Sequence, residues 1–221
     1  MVRNQTLMAQ ELSLQLPAVF GRYVLLHCLS RGGMGEIFLA KLGEIQGFEK
    51  PIVIKKILPQ LASEEDFLRR FIEEAQIAIK LNHANIVPVY EVGKADDQYF
   101  IALEYVAGRD LRALTNRCRE RGRRLPPDLC LYLVREIANG LAYAHRRTDE
   151  AGRPLDLVHC DISPPNVLVS FEGEVKVIDF GIAALHEEGN PSQSKSFMGT
   201  PSYMAPEQKE DSSKASYSSD I

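Results

Sequence analysis

A chain of 221 residues, 45% hydrophobic and 25% charged, is long enough to bury a sizeable core and excludes global disorder. Its 26 basic and 30 acidic residues give a net charge of −4, so no basic excess argues for nucleic acid as a partner. Cys28, Cys118, Cys130 and Cys160 are scattered without the paired spacing of a zinc site, which favours reduced thiols in a cytosolic protein, and no membrane-spanning segment is present.

Residues 1–19 read as a mixed polar leader, neither signal peptide nor anchor. The run from Gly21 to Leu29 is predicted as the first strand of a small sheet, with Glu36 to Lys41 as its hairpin partner and Ile52 to Ile57 as a third strand. Ser63-Glu64-Glu65-Asp66 resembles a capping box with Ser63 at the N-cap, and a helix is expected from there to about Leu81. Phe67, Phe71, Glu74 and Ala78 share one face of it, so Glu74 should point inward, where a carboxylate needs a cation. Ile86 to Val92 and Tyr99 to Tyr105 read as strands split by a turn over 93–97, and Val106 to Asp110 breaks the pattern as a hinge. Pro126-Pro127-Asp128 opens a long helix carrying Leu129, Leu133, Val134, Ile137, Leu141 and Ala142 at helical spacing. Val167 to Ser170 and Val175 to Ile178 form a hairpin about Glu172-Gly173, which sets Asn166 and Asp179 near each other.

The chemistry gathers around that hairpin. His159-Cys160-Asp161-Ile162-Ser163-Pro164-Pro165-Asn166, followed by Asp179-Phe180-Gly181, offers one carboxylate as a candidate base and an amide and a second carboxylate as oxygen ligands for Mg²⁺. Asp161 is the base in this reading, with Asn166 and Asp179 the metal ligands. Upstream, Leu29-Ser30-Arg31-Gly32-Gly33-Met34-Gly35-Glu36-Ile37 lies between two strands, where glycines let backbone N–H groups approach phosphates. Downstream lie Gly199-Thr200-Pro201-Ser202-Tyr203-Met204 and Ala205-Pro206-Glu207.

Together these motifs resemble those of the protein kinases, and the run from about Tyr23 to Ile221 is similar to bacterial eukaryotic-type Ser/Thr kinases. The resemblance implies an α+β, two-lobed fold, with a β-rich N-lobe at about 20–105 and a mainly helical C-lobe from 106. It also implies that Asp220-Ile221 begins the long central helix, leaving the C-lobe incomplete at the end of this chain. ATP would be the co-substrate, covered by Leu29, Gly32, Gly33 and Gly35 and walled by Ile37, Val53 and Leu168. Leu103 would be the gatekeeper, Glu104 and Val106 the hinge backbone, and Asp110 the ribose contact. Lys55 would hold the phosphates in an ion pair with Glu74, while Lys56 points to the opposite face of its strand.

The activity implied is γ-phosphoryl transfer to a Ser or Thr of a protein substrate, with self-association a second expectation from an uncovered C-lobe face. Ser192, Ser194 and Ser196 lie in the stretch that resembles an activation segment. Two departures count against full activity: Cys160 replaces the arginine of the usual H-R-D, and Ser163 stands where most Ser/Thr kinases carry a lysine. The alternative is therefore a pseudokinase, a nucleotide-binding or scaffolding module with little turnover.

Overall fold

A computed structural model describes residues 15–33, 35–42, 50–180, 200–211 and 214–221, except the side chains of Asp66, Arg70, Glu73 and Glu74. Six strands, β1 (Ala18–Phe20), β2 (Tyr23–Arg31), β3 (Gly35–Leu42), β4 (Pro51–Ile57), β5 (Val89–Ala95) and β6 (Gln98–Glu104), form one antiparallel sheet in the order β1-β2-β3-β4-β6-β5. The short β1 takes in Ala18 and Val19, residues that the sequence reading assigned to a leader. Between β4 and β5 run α1 (Pro59–Ala62) and α2 (Glu65–Ala78).

Because side chains alternate along a strand, β4 feeds two cores. Ile52 and Ile54 join Phe20, Leu25, Phe38 and Phe100 on one face, while Ile57 joins Phe67, Phe71 and Ala75 of α2 on the other. Lys55 and Lys56 consequently face opposite ways. Lys56 is no solvated edge charge, however: it is buried with its ammonium over the Phe20 and Phe38 rings, 4.7 and 5.6 Å from their centroids. Burial holds its pKa below the ordinary lysine value.

Two expectations about this region need correction. Ser63 does not start α2; Glu64 occupies that N-cap, and Ser63 ends α1, turning its Oγ onto Gln60 O at 2.6 Å. Pro59 at the first turn of α1 nucleates that extra turn, so the polar cluster is divided between two helices. Likewise Ile86 and Val87 do not belong to the strand. Val87 N donates to Val177 O and Val177 N to Asn85 O, both at 2.9 Å, so this segment ladders onto the predicted hairpin of residues 167–178 instead. The strand continues through Gly93, whose missing side chain leaves room for the Phe100 ring, and only Asp96 and Asp97, both at positive φ, make the turn.

A second, three-stranded sheet has the order β7-β8-β9 and comprises β7 (Gly108–Asp110), β8 (Val167–Ser170) and β9 (Val175–Val177). Next to it lie α3 (Leu111–Glu120) and α4 (Pro127–His145), and α5 (Pro206–Glu210) follows later in the chain. The start of α4 agrees with the predicted helix, and Leu133 and Leu141 are buried as expected, but Val134 is 63% exposed because it lies off the stripe that packs on the second sheet; α3 was not predicted. Leu133 of α4 packs on Val167 and Val175, and Leu141 and Ala144 on Leu81, Ile86, Val177 and Phe180. Asn85 locks the seam, giving its Nδ2 to Glu136 Oε2 at 2.9 Å and to Val175 O at 3.0 Å.

Candidate active site

The predicted hairpin forms and does what its position demands. Ile178 N, just beyond β9, donates to Asn166 O at 3.0 Å, bringing Asp179 and Asn166 to one end of the ribbon. Asn166 Nδ2 donates to Asp161 O at 2.9 Å and to Asp161 Oδ2 at 2.8 Å. Thr200 N donates to the other oxygen, Asp161 Oδ1, at 3.0 Å. The Asp161 carboxylate is thus held in one orientation by two chain segments.

His159 is the fully buried pin beneath this loop. Asp161 N donates to its Nδ1 at 3.2 Å, so its Nε2 carries the proton and donates to Ile178 O at 2.8 Å. Its ring meets Phe180 edge-on at 4.8 Å. Between His159 and Asp161, Cys160 adopts a left-handed backbone with φ 65°, a conformation costly for a residue other than glycine. It is held there from both sides: Cys160 N donates to Asp220 Oδ1 at 2.8 Å, and Cys160 O accepts from Gln208 Nε2 at 2.9 Å. Gln208 Oε1 in turn accepts from Ala205 N at 3.0 Å, tying the Ala205-Pro206-Glu207 element to the His159–Asp161 segment.

Lys55 Nζ lies 2.8 Å from Asp179 Oδ1, so the β4 lysine and the hairpin carboxylate meet across the cleft. The expected pair with Glu74 lies outside the described residues, because the Glu74 side chain is not among them. Asp179 itself sits at φ 61°. The Asn166 amide nitrogen is committed twice, leaving its carbonyl oxygen for a cation, and Asp179 Oδ2 remains beside a lysine-bound Oδ1. This donor set, one amide and one carboxylate oxygen, fits Mg²⁺ completed by phosphate and water oxygens.

On the nucleotide side, Val53 and Leu103 are cross-strand partners, and Ile37 lies opposite Lys55. Leu168 sits on β8 opposite Asp110. Glu104 N donates to Pro88 O at 3.1 Å, and its carboxylate accepts from Lys176 Nζ at 2.7 Å. Asp110 has a structural duty: its Oδ1 accepts from Ala113 N at 2.8 Å and caps α3. Val106 lies in the segment linking β6 and β7.

The glycine loop closes as a tight turn, with Gly32 N to Gly35 O at 2.9 Å and the return bond at 3.3 Å. A Cβ on Gly35 would sit 2.0 Å from Lys56 O, whereas Gly32 and Gly33 have open space around them. Gly35 is therefore demanded by the approach of β4, and only Gly32 and Gly33 are spare for a ligand. The stretch with Ser192, Ser194 and Ser196 lies outside the described residues. Ser163 is buried, with an Oγ that has no hydrogen-bond partner among the described residues.

The family profile of the protein kinase domain matches residues 23–221. The chain belongs to the protein kinase domain family. It is 43% identical over 86% of its length to the tyrosine-protein kinase MasK of Myxococcus xanthus. It is also 34% identical over 86% of its length to the serine/threonine-protein kinase PrkC of Bacillus subtilis. The kinase domain of PknI from Mycobacterium tuberculosis superposes with a TM-score of 0.65 at 30% identity, covering 92% of this chain and 71% of that one. The two-lobed α+β expectation and the bacterial Hanks-type assignment thus hold. The chain spans 29% of the MasK length and 27% of the PrkC length. No helix among the described residues is long and apolar enough to cross a membrane.

Sequence reasoning overlooked Gln208, Lys176 and the anchoring role of Asp220 in this protein kinase domain. None sits in a local motif; each acts on a residue distant in the chain, a relation no periodicity carries.

Proposed function

We propose that this chain is the catalytic domain of an ATP-dependent protein kinase that transfers the γ-phosphoryl group to a Ser or Thr hydroxyl. The observation that carries this reading is the Asp161 carboxylate, oriented by Asn166 Nδ2 and Thr200 N and linked through Asn166 to the hairpin end that carries the Lys55–Asp179 pair. Asp161 accepts the proton of the attacking hydroxyl, and Lys55 neutralises phosphate charge. Asn166 and Asp179 hold Mg²⁺, which supplies charge neutralisation at the phosphates when bound. Gly32 and Gly33 offer backbone N–H groups over them, and Leu29, Ile37, Val53, Leu103 and Leu168 wall the base, with Glu104, Val106 and Asp110 at its edge.

A second acceptor, tyrosine, is favoured by two observations. The relative MasK is by name a tyrosine-protein kinase, and Ser163 occupies the place of the lysine that most Ser/Thr kinases use at the γ-phosphate. Thr200-Pro201 favours Ser/Thr.

The deciding experiment incubates the chain with γ-labelled ATP, Mg²⁺ and peptides bearing Ser, Thr or Tyr, followed by phosphoamino-acid analysis. Label on Ser or Thr supports the first reading and label on Tyr alone the second. Nucleotide binding without transfer would identify a pseudokinase.

A further inference from the structure

The densest positive charge in the chain lies away from the site described above. Residues 111–124 carry Arg112, Arg117, Arg119, Arg121, Arg123 and Arg124 against a single acid, Glu120, in a chain of net charge −4. An open cleft of about 590 Å³ sits there, and Arg119, Arg123 and Arg124 line it together with Cys118, Leu125 and Cys130.

Part of this charge has a local explanation. Arg117 and Arg119 fall in the last turn of α3, where cations complement the helix dipole; Arg117 also pairs with Glu120 at 3.0 Å, and Arg119 leans on Asn116 Oδ1 at 3.3 Å. Arg121, Arg123 and Arg124 lie beyond the helix, exposed, with no ion pair among the described residues. Their backbone is nonetheless fixed. Gly122, at φ 63°, lets the chain reverse, with Gly122 N donating to Arg119 O and Arg123 N to Cys118 O, both at 2.9 Å. Guanidinium groups without an ion pair among the described residues are therefore displayed on a preorganised turn, beside a partly apolar floor.

Every cation in this run is arginine, whose planar fork matches a carboxylate through two parallel hydrogen bonds. A long polyanion would extend beyond the cleft onto a surface whose remaining charge is negative. A short acidic segment ends within it, and its apolar side chains can use Leu125 and the two cysteines. We propose that this arginine cleft docks a short Asp/Glu-rich segment of a protein substrate. The substrate role rests on the phosphotransfer reading; the docking does not. α3 packs against the Pro164–Asn166 turn, and its ten residues span about 15 Å. A docked segment is thus held within about a helix length of the Pro164–Asn166 turn, which raises the local concentration of its acceptor hydroxyl.

The test uses the 221-residue chain and a fluorescent peptide, Glu-Leu-Glu-Asp-Leu-Glu, read by anisotropy beside its Gln/Asn counterpart. The acidic peptide should bind, more weakly as salt rises, and combined Arg119→Glu, Arg123→Glu and Arg124→Glu should lower its affinity at least about tenfold. Lys80→Glu with Lys94→Glu, a reversal elsewhere on the surface, should change it little. If the triple variant loses its cooperative melt, Arg123→Gln with Arg124→Gln, outside the helix, carries the same comparison. In kinetics, adding the acidic segment to a phosphorylatable peptide should lower KM at unchanged kcat for the wild type only. Equal binding of the neutral peptide, wild-type affinity in the variants, or preferential binding of single-stranded DNA or anionic vesicles would overturn the proposal. Acidic-peptide binding without phosphate transfer to any peptide would leave the cleft standing and remove the kinase reading.

Discussion

Asp220 accepts the backbone N–H of His159 at Oδ2 and that of Cys160 at Oδ1, each at 2.8 Å, and so carries the strained turn that precedes Asp161, the proposed base. His145 Nε2 also donates to Oδ2, at 2.8 Å, while its ring stacks on Tyr217 at 4.6 Å. One buried carboxylate therefore satisfies three donors from α4 and the catalytic loop. Asp220→Ala should orphan all three and cost about 3 kcal/mol or more in denaturant unfolding. Asp220→Asn, which keeps one accepting oxygen, should fall in between. Equal stability of wild type and Asp220→Ala would show that water replaces the carboxylate.

Asp161→Asn should lower phosphotransfer about 10²–10⁴-fold with little change in ATP affinity, because the carboxylate acts on the acceptor hydroxyl. Lys55→Met, by contrast, leaves Asp179 without its cation and should weaken both ATP binding and turnover. Steady-state kinetics beside nucleotide titration separates the two variants; wild-type turnover in Asp161→Asn would remove the proposed base.

The glycine loop yields a contrast within a few residues. Gly35→Ala brings a Cβ to 2.0 Å from Lys56 O and should cost more than about 2 kcal/mol, while Gly33→Ala, in open space, should stay within about 0.5 kcal/mol. Thermal melts of both check this. A kinetic penalty for Gly33→Ala at unchanged stability would mark it as a phosphate contact.

Lys56 offers a pH test. Its folded pKa lies below the ordinary 10.5 because burial penalises the charged form. The unfolded state therefore binds the proton more readily, and the penalty on folding, present at neutral pH, fades as pH rises through the folded value towards 10.5. The Phe20 and Phe38 rings offset part of it. Lys56→Met should be at least as stable as wild type at pH 7, with the difference shrinking as pH approaches 10. A difference that grows with pH would reverse the assignment.

These positions also show what could be read from the chain alone. The strands β2 to β4, the β8–β9 hairpin and the meeting of Asn166 with Asp179 were legible, since local alternation and turn residues specify them. Lys56 was not, because period-two alternation tells which face a residue takes but not that both faces of the sheet are buried. The helix α3 was hidden by its arginines, which erase the apolar stripe; its signals were the end residues, Asp110 capping the start and Gly122 just past the finish. Ile86 and Val87 were misassigned because an apolar pair looks the same whichever sheet it joins. Proposed site residues held together by short hairpins were thus visible, and those joined across long sequence distances, such as Asp220 with Cys160, were not.

The ribbon of β7, β8 and β9 has a mechanical consequence. Its first strand leaves the hinge and its last leads into Asp179, with Leu168 paired to both Asp110 and Lys176. Lys176 then reaches back to Glu104. The hinge and the phosphate end are consequently separated by a hydrogen-bonded spacer of set width, not by a slack joint. A nucleotide bound as proposed would be measured against that spacer, so a one-residue insertion in β8 or β9 would shift the gauge at one end and leave the hinge unchanged at the other.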